Sequence, residues 1–113
     1  HATYGDGVRC EVTWVDVYGN CQLNIGPEDL VHLGPVLRLV IGEDVRSARM
    51  TSHFADIDGG AIGAVTDSYG MVALAVDRGS AAQVLRVGAG DGVYIYAGQA
   101  DGATSAVSIR PAK

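Results

Sequence analysis

The sequence predicts an all-β domain: a mainly antiparallel barrel or sandwich carrying two short helices. Three observations predict it. Apolar residues recur at every second position or in runs of about six, bounded by turn residues, which is strand patterning. Sixteen glycines punctuate 113 residues, as tight strand connections require. No apolar run approaches the ~18 residues of a membrane helix, and no repeat of fixed period appears.

His1 to Gly7 is polar and reads as a frayed end or linker tail. Residues 8–113 read as one domain, large enough to bury roughly two-thirds of its unfolded surface without metal or disulfide support. Val8, Cys10, Val12 and Trp14 alternate with polar residues, a strand with one buried face that Asp16 continues. A carboxylate there needs hydrogen-bond donors. It reads either as a cap for the turn Tyr18-Gly19-Asn20 or as a ligand contact. Asn20, Gln22 and Asn24 alternate with Cys21, Leu23 and Ile25, a second strand with one carboxamide face. Such a face can read a heterocycle edge or simply be solvated. Pro27-Glu28-Asp29 opens a short helix closed by Gly34-Pro35. Val36 to Ile41 and Val45 to Met50 read as a hairpin, and Ala61 to Val65 as a short strand.

The organising stretch runs from Asp67 to Ala82. A polar turn, Asp67 to Gly70, leads into the apolar run Met71 to Val76, read as a strand buried on both faces. Ser80 followed by Gln83 fits a capping box and starts the second helix. Val93 to Ala97 and Ala106 to Ile109 read as the last strands.

Several function classes are set aside. The net charge of -5, with acids scattered, argues against nucleic acid or anionic lipid as partner. No signal peptide or membrane span is visible, and Cys10 and Cys21 read as free thiols of a cytoplasmic protein. Gly88 to Gly92 is followed by strand residues, so it reads as a turn rather than a phosphate loop. Asp56 to Gly60 lacks the glycine and glutamate of a calcium loop. No nucleophile-elbow pattern surrounds Ser68 or Ser80. The residues alone leave a small β domain with polar groups at strand ends. A free-standing binding or assembly module fits that description.

Four segments carry a resemblance. Asp16-Val17-Tyr18-Gly19-Asn20 with Asn24-Ile25, Phe54-Ala55-Asp56, Ser68-Tyr69-Gly70 with Leu74 to Ala82, and Gly90-Asp91-Gly92-Val93 occur in series. In that order they resemble motifs of the S-adenosylmethionine (SAM) hydroxide adenosyltransferases, a family that includes fluorinating and chlorinating enzymes. The resemblance is to the C-terminal domain alone. It implies a small closed, Greek-key-like β-barrel and a catalytic N-terminal domain absent from this chain. It also implies a homotrimer with SAM held between subunits. SAM would be the substrate, hydrolysed to adenosine and methionine, with no cofactor; a halide in place of water is the variant. Carried over by residue, Asp16 would bind the methionine ammonium, with Ser68 and the Tyr69 backbone at the same end. Tyr18 and Phe54 would pack on adenine, and Asn20 would meet its edge. Asp77 stands where the family has an adenine-binding Asn. Gln22 makes the adjoining wall more polar than in relatives, and Leu23 replaces a Thr.

Overall fold

A computed structural model of the chain describes residues 7–52, 57 and 61–98. Seven strands close into a barrel: β1 (Val8–Val15), β2 (Cys21–Leu23), β3 (Val36–Ile41), β4 (Asp44–Met50), β5 (Ile62–Thr66), β6 (Val72–Val76) and β7 (Gly92–Ala97). Round the wall the order is β1-β2-β6-β5-β4-β3-β7. Every seam is antiparallel except β4–β5, where Ala48 to Met50 pair in parallel with Ile62 to Ala64. The strand expected at Ala106 to Ile109 lies outside the described residues, as do Phe54 and most of the Asp56–Gly60 segment.

The uninterrupted apolar run behaves as its pattern demands. Val72 and Leu74 of β6 face the main core with Leu23, Leu37, Leu39 and Ile95, while Ala73 and Ala75 face a second cluster with Ile57 and Val65. Leu23, Leu37, Leu39, Leu74 and Ile95 are fully buried, each worth roughly 1.5–3 kcal/mol relative to exposure.

Two local expectations are corrected. Strict alternation along β1 puts Trp14 and Asp16 on the core face with Val12. The register instead shifts between Val12 and Trp14, a bulge that re-aims the strand. Val15 takes the inward position and Trp14 turns outward, 49% exposed. The first helix is not α-helical. Pro27–Asp29 and Val31–Leu33 are successive 3-10 turns around buried Leu30, with the Gly26 N–H donating to Asp29 Oδ2 at 2.9 Å. The second, α1 (Ala81–Leu85), starts as expected: Ser80 Oγ accepts from the Gln83 N–H at 3.1 Å.

The hairpin turns β1–β2 and β5–β6 are built alike. Each reads Asp-x-Tyr-Gly, Asp16 to Gly19 and Asp67 to Gly70. In the first, Asp16 N–H donates to Asn20 O and Gly19 N–H to Asp16 O; in the second, Asp67 N–H donates to Met71 O and Gly70 N–H to Asp67 O. This is a three-residue connection with its last residue left-handed. Gly19 (φ 87°) and Gly70 (φ 81°) occupy that position. Because β2 and β6 pair antiparallel with Gln22 opposite Ala73, a local two-fold axis relates the hairpins. Equivalent residues keep one interval in sequence, Asp16 to Asp67 and Gln22 to Ala73.

The turns differ in what they rest on. A Cβ on Gly19 would collide with the Ser80 side chain and Cα, whereas one on Gly70 would meet open space. Gly19 O also accepts from the Ala82 N–H at 2.9 Å, docking the first turn on α1. Gly70→Ala is therefore expected to cost about 1 kcal/mol, the left-handed penalty alone. Gly19→Ala is expected to cost ~2–4 kcal/mol, because overpacking adds to it. Denaturant midpoints of the two variants check this; equal losses would refute the docking of Gly19 on Ser80.

Candidate ligand-binding cleft

The paired hairpins frame a cleft of about 560 Å³ on the outer face of the barrel. Trp14, Asp16, Tyr18, Asn20 and Gln22 line it from the first hairpin, and Thr66, Asp67, Ser68, Tyr69 and Ala73 from the second. The β1 bulge delivers Trp14 to this face. Trp14 meets Tyr69 edge-on, ring centroids 6.2 Å apart at 82°. Tyr18 is 75% and Tyr69 70% exposed, so large aromatic faces stand open at the rim.

Both aspartates bind their own turns. Asp16 Oδ1 accepts from the N–H groups of Tyr18 and Asn20, both at 2.9 Å, and Oδ2 from Asn20 Nδ2 at 3.0 Å. Asp67 Oδ1 accepts from the N–H groups of Tyr69 (2.8 Å) and Met71 (3.1 Å), and Oδ2 from Gln22 Nε2 at 2.8 Å. A carboxylate offers about four lone-pair sites, so each keeps one on Oδ2. Gln22 is held at both ends, since Thr13 Oγ1 donates to its Oε1 at 3.0 Å. Its amide bridges the hairpins across the cleft floor, which fixes its orientation and leaves one Nε2–H and one Oε1 lone pair. Asn20 differs. A carboxylate only accepts, so the Asn20 amide must turn Nδ2 toward Asp16. Its Oδ1, unpartnered among the described residues, is left as an acceptor.

The model of the SAM hydroxide adenosyltransferase C-terminal domain family matches residues 10–94. The chain belongs to that family. It is 38% identical over 93 residues to the (R)-S-adenosyl-L-methionine hydrolase of Salinispora tropica, covering 82% of this chain and 34% of that protein. The chain thus spans about a third of that relative's length. The fold is shared with solved structures. One is an uncharacterized conserved protein of Thermotoga maritima (TM-score 0.77, 33% identity, covering 81% of this chain and 36% of that one). Another is a conserved hypothetical protein of Thermus thermophilus (TM-score 0.59, 26% identity, 81% and 36%).

In this SAM hydroxide adenosyltransferase C-terminal domain, Asp16, Tyr18, Asn20, Ser68 and Tyr69 converge on one cleft. The Tyr69 N–H is already held by Asp67, so Tyr69 presents its ring rather than that donor. Asp77 does not line the cleft. It sits in the corner after β6, 4.0 Å from exposed Arg78 Nε. Phe54 lies outside the described residues. Trp14, Thr66, Asp67 and Ala73 were not singled out as site residues from sequence. Setting the two Asp-x-Tyr-Gly turns side by side would have pointed to Asp67, whereas the bulge that re-aims Trp14 leaves no signal in the patterning. Among the described residues no group of three metal-binding side chains forms, and no helix is long and apolar enough to cross a membrane.

The turn also sets the acid–base behaviour beside it. Burial would raise the Asp16 carboxyl, but hydrogen bonds from the Asn20 backbone and side chain, then the Tyr18 backbone, with the Gly19 N–H dipole nearby, hold it below its ordinary 3.8. Burial, then the nearby negative charge of Asp16, pushes the Cys21 thiol up from 9.0 to about 11, and burial pushes Cys10 to about 12. Both thiols are free and buried. The folded state favours ionised Asp16, so that contribution is present above 3.8 and is lost as pH falls through the depressed value. It favours neutral thiols, so their contribution is present below about 9 and lost as pH rises toward 11–12. Unfolding midpoints across pH are expected to drop at both ends, and Cys21→Ala to reduce the alkaline drop. An unchanged alkaline limb in that variant would contradict it.

Proposed function

We propose that this chain is the C-terminal domain of a SAM hydrolase. It would supply the adenine and methionine contacts at an interface with the catalytic N-terminal domain of a neighbouring subunit. One observation carries the reading: five residues chosen on the family's motifs, far apart in sequence, come together in one aromatic-walled cleft. Water would attack the ribose C5′. The C5′–O bond forms, the C5′–S bond breaks, the bonding pair stays on sulfur, and a proton leaves the water. Sulfonium is a good leaving group, so positioning and water activation dominate the catalysis. Activation belongs to the other domain, so this domain alone would be inactive. Its own residues hold and orient.

The open aromatic faces of Tyr18 and Tyr69 suit a flat ring. The remaining Oδ2 lone pair of Asp16 suits an α-ammonium, and the Ser68 hydroxyl, unpartnered among the described residues, suits the same amino-acid end. Asn20 Oδ1, an acceptor only, suits the exocyclic amine of adenine. Asp77, away from the cleft lining, has no part in this reading.

In the full-length protein, SAM is expected to give adenosine and methionine. Asp16→Asn is expected to weaken SAM binding roughly 10- to 100-fold, the loss of a charge-assisted hydrogen bond. An analogue with hypoxanthine in place of adenine sets oxygen against Asn20 Oδ1 and is expected to bind at least about tenfold more weakly. Calorimetry and product chromatography check both. Full-length protein that binds no SAM, or binds it equally after Asp16→Asn, would favour a non-catalytic assembly module.

A further inference from the structure

We propose that Asp67 is a specificity-determining residue of the cleft, facing the sulfonium of the ligand and selecting it over the neutral thioether. The proposal rests on the SAM reading above and deepens it. The cleft is lined by two carboxylates and by no lysine or arginine. Among the described residues neither Asp16 nor Asp67 forms an ion pair. SAM brings two positive centres, the α-ammonium and the sulfonium, beside its own α-carboxylate; the thioether without the S-methyl group keeps only the ammonium and that carboxylate.

The two-fold relation of the hairpins gives each positive centre its own carboxylate. Asp16 and Asp67 occupy equivalent places, keep equivalent hydrogen bonds to the turn, and keep one Oδ2 lone pair each. What differs is the third partner. Asp16 takes it from its own turn, through Asn20; Asp67 takes it from the other hairpin, through Gln22. Thr13 fixes the far end of that amide, so Asp67 is tied through Gln22 to the floor between the two hairpins. A sulfonium is central in its molecule, between nucleoside and amino acid. With Asp16 and Ser68 taking the amino-acid end, Asp67 is the remaining anion for the centre.

The chemistry adds a second consequence. Sulfur is cationic in the substrate and neutral once the C5′–S bond has broken. A carboxylate facing it favours the ground state over the transition state. Asp67 therefore tightens binding and discrimination without raising the chemical rate.

The test uses full-length protein with two ligands, SAM and the thioether lacking its S-methyl group, by calorimetry. Asp16→Asn is expected to weaken both alike, since both carry the ammonium. Asp67→Asn, which preserves shape and lets the Gln22 amide reverse to match it, is expected to weaken SAM roughly five- to tenfold. The thioether should stay within about twofold. In turnover, Asp67→Asn should raise KM and leave kcat unchanged or higher. Equal loss of both ligands, a fall in kcat, or no change in either affinity would overturn the proposal while the SAM reading stands. Wild-type protein that binds neither ligand would overturn both.

Discussion

A carboxylate at a hairpin turn must find donors, and here it finds them in the turn itself. Asp16 and Asp67 each gather the N–H groups two and four residues on. That interaction closes both connections, puts Gly19 and Gly70 at the left-handed position, and throws Tyr18 and Tyr69 outward. The cleft is therefore shaped before any ligand arrives, and ordering cost on binding falls accordingly. Turn cap and ligand contact, alternatives from sequence, are compatible. Three hydrogen bonds, all from its own turn for Asp16 and two from its turn with one from Gln22 for Asp67, still leave each carboxylate a lone pair.

The floor between the turns follows from the same symmetry. Gln22 and Ala73 face each other where β2 and β6 pair. The axis makes these positions equivalent, but their side chains are opposite in kind. Ala73 is buried against Ile57 and Val65, and its small size leaves room above it. Gln22 reaches across and joins β1 to the Asp67 turn. A duplicated turn thus becomes a cleft with two distinguishable ends.

Much of the barrel was legible in the chain. Continuous runs and alternation mark strands by burial alone, and β3 begins and ends as its apolar pattern does, at Val36 and Ile41. The Ser80 cap was equally plain, because an N-cap is a local event. Trp14 was not legible. A bulge is set by what the partner strand requires, and alternation carries no trace of it. Nor was the 3-10 winding of residues 27–33, since proline and acidic residues begin either kind of helix. Within the cleft, Asp16, Tyr18, Asn20, Ser68 and Tyr69 could be assembled from motifs, whereas Asp67 and the Gln22 bridge depend on which strands become neighbours. Asp77, placed by the same motifs, lies at the far end of β6 from Ala73, away from the cleft lining.

The strand that shuts the wall is the last described one. β7 is hydrogen-bonded to β1, with Val8 opposite Ile95, and to β3, with Leu37 opposite Ala97. During synthesis the first and third strands must therefore wait, edges bare, until the final stave has left the ribosome. Nascent chains of this domain should need shielding for almost the whole of their translation, and premature termination anywhere before that stave would leave an open sheet prone to self-association.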